Sequence, residues 1–194
     1  VLKSASRLID QLRKCCNDSS IDRHEKRCSM RARWPTLYNC TRMPVVVPVY
    51  ANVTVTDQAV GAARELEGPF APDAPTMDGW EDVVEVMSSM CRPKKVTVKG
   101  SDAGRYTFLA KPKDDLRKDA RMMEFMTTVN RLLRKSINCR RQRLALRCYA
   151  VTPLDEECGL VEWVPNMLPL RDVIRKYWDS FKLPFTHSDV KLRY

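Results

Sequence analysis

Long apolar runs are what this chain most plainly lacks. No stretch approaches the roughly 20 apolar residues that a membrane-spanning helix needs, and no secretory leader opens it, so the chain is expected to be soluble. Histidine is scarce, with only His24 and His187, and the eight cysteines contain no C-x-x-C pair. That spacing is poor for zinc, and neither histidine has a Cys or Ser partner in sequence that would suggest nucleophilic catalysis. Aromatic residues make up 8% of the chain, and none forms a stacking platform beside its basic residues, which argues against single-strand nucleic-acid binding. Two phosphate-binding signatures are also absent. Without G-x-x-x-x-G-K-[ST] the chain is not a Walker-type NTPase, and without G-x-G-x-x-G it lacks the glycine-rich loop of common protein kinases.

What is present suffices for one or two domains with a real core: 194 residues, 44% hydrophobic. The first residue is Val rather than Met, so an internal fragment is expected. A net charge of +10 asks for an acidic partner, such as a nucleotide, a nucleic acid, a protein surface or a membrane. The densest run is Arg131, Arg134, Lys135, Arg140, Arg141, Arg143 and Arg147, with no acid among them. Cations at a solvated helix end explain it more simply than nucleic-acid contact does. Cys15, Cys16, Cys28, Cys40, Cys91, Cys139, Cys148 and Cys158 are expected to be reduced, several of them in the core of an intracellular protein, with Cys148 in a strand.

Leu2, Ala5, Leu8, Ile9, Leu12 and Cys16 recur at helical spacing and predict an amphipathic helix ending near Asn17–Ser20. A polar connector through His24–Arg33 follows. Met43–Tyr50, continuing through Val53 and Val55, is β-branched but interrupted by two prolines, which suits an edge strand or an extended segment. Glu67–Asp78, with Pro69, Pro72 and Pro75, is predicted to be a loop. Strands are predicted at Val83–Val86, Val96–Lys99, Arg105–Ala110, Leu144–Thr152 and Gly159–Val164, the second and third forming a hairpin across Gly100–Gly104. Both faces of Arg105–Ala110 are largely apolar, as in an interior strand. A helix over about 115–135 carries Met122, Phe125, Met126, Val129, Leu132 and Leu133 on a face expected to be core. A last helix is defined by Leu170, Val173, Ile174, Tyr177, Trp178 and Phe181.

This order predicts an α+β fold: a mostly antiparallel sheet with one prominent helix, preceded by a helical segment, on the plan of a kinase small lobe. Lys111-Pro112-Lys113-Asp114-Asp115-Leu116-Arg117-Lys118-Asp119 is the most informative stretch. It places a lysine at a strand end and acids at a helix start, with Lys111 a point charge for phosphates and Asp119 able to orient it. Asp114 and Asp115 are read as helix N-terminal acids, Asp115 as a possible cap. Met87-Ser88-Ser89-Met90 would form a short turn over phosphates, and Glu162-Trp163-Val164 sits at a hinge-like position with an aromatic suited to a purine.

Phe108–Asp119 resembles the start of the catalytic domain of phosphatidylinositol-kinase-related protein kinases. Tyr149–Leu154 and Gly159–Val164 resemble that domain's later small-lobe strands, in the right order and spacing. K-P-K-D-D-L-R-K-D and L-D-E-E-C-G-L-V-E-W-V are worded as in the ATR-type, DNA-damage checkpoint branch. The resemblance runs from about Trp80 to Trp178 and implies three parts: the end of a helical FAT-like region at 1–40, a small lobe at 41–165, and the hinge exit with the first large-lobe helix at 166–194.

It also implies roles. Lys111 would contact ATP phosphates, with Asp119 facing it and Tyr149 beside them in the inner pocket. The Glu162 and Val164 backbone would bind the adenine edge, Trp163 would pack on its face, and Ser88 and Ser89 would lie in the phosphate-covering loop. No catalytic residue is expected within the chain. The family's G-D-R-H-x-x-N loop and D-F metal motif are not present, Thr186–Asp189 is no substitute, and the tail after Asp179 departs from the family pattern. Mg²⁺ ligands are thus expected outside this chain, and the chain alone is expected to be inactive. The implied parent is a nuclear serine/threonine kinase acting on Ser/Thr-Gln sites, with an ATR-interacting regulatory subunit and DNA-damage sensors as partners. Direct DNA contact by this segment and membrane association are not expected. A lipid kinase, a kinase-dead scaffold of the same family and a basic nucleic-acid-binding module are the alternatives.

Overall fold

One face of the sheet is greasy and the other is mixed, and that difference organises the first part of the molecule. The computed structural model describes residues 2–51, 70 and 73–181. Residues up to Trp163 form one compact unit and those from Val164 a second. In the first, α1 (Leu2–Asn17) is followed by β1 (Arg27–Ser29), two single-turn helices α2 (Met30–Arg33) and α3 (Pro35–Tyr38), and β2 (Met43–Val46). Then come β3 (Thr76–Trp80), β4 (Val83–Val86), β5 (Lys94–Gly100), β6 (Arg105–Pro112), α4 (Arg117–Lys135), α5 (Ile137–Arg141), β7 (Val151–Pro153) and β8 (Cys158–Glu162). All pairings are antiparallel in the order β1-β4-β5-β6-β8-β7, with β3 also pairing β5 and β2 pairing only β3. In the second unit α6 spans Leu170–Ser180, with none of its residues buried. No helix among the described residues is long and apolar enough to cross a membrane.

Strand alternation builds the core. Val96, Val98, Phe108, Ala110 and Leu160 are buried and pack with Leu8, Leu12 and Leu37 from the helical segment. The α1 apolar stripe therefore lies against β6 and β8, inside the same unit as the sheet. β6 is an interior strand between β5 and β8, as its two largely apolar faces predicted.

Five sequence expectations need correction. Part of the polar His24–Arg33 connector is ordered as β1 and α2 because Asp82 organises it from far along the chain. One Asp82 carboxylate oxygen accepts from Ser29 Oγ and Arg31 N–H, both at 2.8 Å, and its carbonyl accepts from Met30 N–H at 2.6 Å. The end of the expected Glu67–Asp78 loop is strand, since Met77 and Trp80 are buried against β5. The expected Leu144–Thr152 strand shrinks to Val151–Pro153, so Cys148 lies outside it. Side chains replace the ladder there: Asn130 donates to the Leu146 carbonyl at 2.9 Å and accepts its N–H at 2.8 Å. The α4 stripe is not core, with Met122, Phe125 and Leu132 at least half exposed. This helix packs on the edge strand β7, which covers only one flank of a wide apolar face. Finally, α4 starts at Arg117, with Leu116 rather than Asp115 in the capping position. Asp115 accepts the Arg117 N–H at 3.2 Å and grips its guanidinium with both oxygens.

Cys15, Cys16, Cys40 and Cys158 are buried free thiols and Cys91 is exposed. The seven cations from Arg131 to Arg147 are all exposed. Val53, Val55 and Thr186–Asp189 lie outside the described residues.

Candidate nucleotide site

The face of the sheet away from α1 carries the partly exposed members of each alternation, polar and apolar. On β5 these are Lys95 and Thr97, and on β6 Thr107, Leu109 and Lys111. Register brings them together: Lys95 opposes Leu109, Thr97 opposes Thr107, Leu109 opposes Val161, and Lys111 opposes Gly159. The two threonine hydroxyls are 3.0 Å apart. Trp163 follows β8 directly, and its N–H donates to the Thr107 carbonyl at 2.8 Å. The residue is 39% exposed, and its ring centroid lies 4.7 Å from Lys95 Nζ, a cation–π contact on this same face. Lys95 is held from the other side by Glu85 at 3.4 Å.

Trp163 and Lys111 thus mark two ends of one strip. Four steps of β6 separate Thr107 from Lys111, roughly 13 Å at strand rise, with Leu109 and Val161 as an apolar floor between. At the far end the chain turns sharply. Lys113 has φ 53°, in the left-handed region, and the Asp114 N–H donates to the Glu157 carbonyl at 2.9 Å. That turn returns Asp114 to Lys111, whose Nζ donates to Asp114 Oδ2 at 2.9 Å. Gly159 makes the turn's seat possible. A Cβ there would come within 2.6 Å of the Thr152 carbonyl oxygen and 2.8 Å of Leu116 Cδ1, so bare backbone lets the fully buried Leu116 settle over β8. Arg117 anchors the helix start, reaching Glu156 at 2.9 Å, and its guanidinium holds the Asp115 carboxyl down at about 2.

The site residues expected from sequence fall as follows. Lys111 and Trp163 share the open face. Ser88 and Ser89 are exposed in the β4–β5 turn, at the sheet end where β6 reaches Lys111. Asp119 is exposed in the first turn of α4, and Asp114 occupies the lysine instead. Tyr149 is half-buried in the irregular segment before β7. The Glu162 N–H is already donated to the Ala150 carbonyl, and its carboxylate accepts the Ala150 N–H, both at 2.8 Å. Val164 lies in the second unit. Sequence reasoning missed Lys95, Thr107, Leu109 and Val161. Their alternation was legible, but the cross-strand register that gathers them was not.

Comparison with known proteins places the chain in a family. Residues 105–193 match the family model described as phosphatidylinositol 3- and 4-kinase. Protein kinase rad3 of Schizosaccharomyces pombe is 35% identical over 190 residues, 98% of this chain and 8% of that protein. Serine/threonine-protein kinase ATR of Arabidopsis thaliana is 39% identical over 177 residues, 89% of this chain and 6% of its own length. The ATR of Drosophila melanogaster is 47% identical over 107 residues, covering 55% and 4%. Among solved structures, the FAT and kinase domain of CtTel1 superposes with a TM-score of 0.71 at 21% identity, over 89% of this chain and 12% of that one, and shares the fold. The chain spans less than a tenth of the length of these curated relatives. The chain that sets Lys111 one step before the end of β6 and Trp163 directly after β8 belongs to the phosphatidylinositol-kinase-related family and is similar to its ATR-type members.

Proposed function

We propose that this chain is the ATP-binding small lobe of an ATR-like serine/threonine kinase of the DNA-damage checkpoint. The alignment of Lys111, Leu109, Val161 and Trp163 along one face carries this reading. A cation at one end suits a triphosphate, and an apolar floor ending in an exposed indole suits a purine. The residues present therefore fit ATP. Lys111 would exchange Asp114 for a phosphate oxygen, with Asp119 and Tyr149 completing the inner wall. The Glu162 and Val164 backbone would read the adenine edge while Trp163 covers its face, and the Ser88–Ser89 turn would lie over the phosphates.

Among the described residues no three His, Cys, Asp or Glu side chains gather to hold a metal. The Mg²⁺ that would offset phosphate charge is assigned to ligands outside this chain. These 194 residues bind and orient nucleotide, and the acceptor hydroxyl is activated elsewhere in the parent. The parent would be nuclear, would phosphorylate Ser or Thr before Gln, and would work with an ATR-interacting subunit and damage sensors. Titration calorimetry of the chain with ATP tests the reading: saturable binding lost in Lys111→Ala supports it, and no binding by the unmodified chain rejects it. Lys111-dependent phosphorylation by the chain alone would overturn the claim that it is inactive.

A further inference from the structure

The turn that would cover the phosphates is fastened from behind by two cations that have no carboxylate partner among the described residues. It runs from Met87 to Pro93, with the Met87 N–H donating to the Pro93 carbonyl and the Arg92 N–H to the Ser89 carbonyl, both at 2.9 Å. Its tip is bare, and Met90 is 99% exposed. Its last part is not. Arg92 takes a left-handed backbone, φ 47°. Its guanidinium donates to the carbonyls of Ile21 at 2.7 Å, Asp22 at 2.6 Å and Glu25 at 3.1 Å. Two residues on, Lys94 is 2% exposed and its ammonium donates to the Cys16 carbonyl at 2.6 Å and the Asp18 carbonyl at 2.8 Å.

All five acceptors are main-chain carbonyls of residues 16–25, where α1 ends and leads into β1. Carbonyls at a helix C-terminus carry partial negative charge and suit a cation. A buried ammonium paired only with dipoles is still a costly choice for a strand start. The connector itself is braced: the Asp18 carboxylate accepts from Ser20 Oγ, Arg33 Nε and Trp34 Nε1. Lys94 and Lys95 point to opposite faces of β5, so the element clasped behind is the one that bears Lys95 in front.

We infer that Arg92 and Lys94 form a clasp through which the α1–β1 connector sets the position of the Ser88–Ser89 turn, so that affinity for nucleotide phosphates is regulated from the helical segment. The inference rests on the ATP reading above and adds its regulation. Arg92 and Lys94 are positioning residues that touch no nucleotide. A shift of the α1–β1 connector relative to the sheet, led by the end of α1 at Cys16, pulls five carbonyls on these two side chains, and the turn moves with them.

The test compares the 194-residue chain with Arg92→Ala, Arg92→Lys and Lys111→Ala, by dissociation constants for ATP and for adenosine and by amide exchange across residues 87–92. Losing charge-assisted bonds in Arg92→Ala should weaken ATP about tenfold, leave adenosine within about twofold, and speed exchange at Met87 and Arg92 about tenfold or more. Arg92→Lys, which keeps the charge and loses the fork, should fall between. Equal loss of ATP and adenosine, or unchanged ATP affinity with accelerated exchange, overturns the regulatory role. Unchanged exchange in Arg92→Ala overturns the clasp whatever ATP does. If the unmodified chain binds no ATP, or Lys111→Ala binds it equally, the ATP reading fails and the regulation with it, while exchange still reports whether the clasp holds the turn.

Discussion

Lys111 donates to Asp114 at 2.9 Å, whereas Asp119, the acid that the family resemblance assigns to it, stands exposed on the first turn of α4. Both side chains of the observed pair are a third or more exposed, 34% and 42%, so the pair contributes under about 1 kcal/mol and is easily exchanged. A phosphate oxygen can therefore take the lysine from Asp114 at small cost.

That relationship separates the two acids experimentally. Lys111→Ala is expected to weaken ATP by tenfold or more, roughly the 1.5–3 kcal/mol of a charged hydrogen bond. Asp114→Asn should leave ATP affinity unchanged or raise it up to about threefold, because it frees the cation. Asp119→Asn should weaken ATP severalfold if it orients the lysine once ligand is bound. Calorimetry giving the opposite order for the two acids would assign the lysine's working partner to Asp114.

Gly159→Ala should destabilise the first unit. Its new methyl would meet the Thr152 carbonyl at 2.6 Å and Pro153 Cα at 3.0 Å, backbone atoms that cannot step aside as a side chain does. Overpacking of this kind costs about 1–3 kcal/mol. Urea unfolding would read it as a lower midpoint. Because Leu116 is the third close neighbour, Leu116→Ala placed in the Gly159→Ala chain should add less destabilisation than it does alone. An unchanged midpoint in Gly159→Ala would contradict this close approach of β8 to Thr152 and Pro153.

Trp163 should report nucleotide by its emission. Trp34 and Trp80 are 8% and 3% exposed in the core and should be silent, and Trp178 on α6 is replaced by Phe in every chain compared. Stacking of a purine on the exposed indole should quench fluorescence as ATP is added, and Trp163→Phe should abolish the change. Quenching that survives the substitution would move the base away from β8.

Alkaline pH should unfold the chain through its buried thiols. Burial raises Cys15 from 9.0 to about 12 and Cys158 to about 11. The unfolded chain loses these protons near pH 9 while the folded chain keeps them, so the stabilising contribution is complete below pH 9 and is lost as pH rises toward 11–12. Lys94 works the other way. Burial lowers its affinity for a proton, so the folded chain releases that proton first and gains stability as pH approaches 10.5. Urea midpoints should fall between pH 9 and 11 in the unmodified chain, less in Cys158→Ala and more steeply in Lys94→Met. A flat profile across that range would contradict the burial of the thiols.

Much of the fold was legible because its signals are local. The α1 stripe, the β5–β6 hairpin and the β8 strand each follow from apolar spacing within a few residues. Failures came where a distant partner decided the matter. Asp82 orders β1 and α2 from some fifty residues away, and Asn130 takes over backbone groups of Leu146 that would otherwise need a neighbouring strand. The α4 stripe misled because periodicity shows that a helix has an apolar face without showing how much of it a neighbour will cover.

The site divides along the same line. The sequence by itself determined that a lysine ends one strand, that acids open the following helix, that a tryptophan ends a later strand, and that these wordings belong to one kinase family. Each is a matter of residue identity and short spacing. Only the tertiary structure decided that Lys95, Thr107, Leu109 and Val161 join Lys111 and Trp163 on one face, that Asp114 holds the lysine, and that Arg92 and Lys94 reach back to the carbonyls of residues 16–25. Cross-strand register and the packing of a helix some eighty residues upstream set those relations, and neither leaves a periodic trace in the chain.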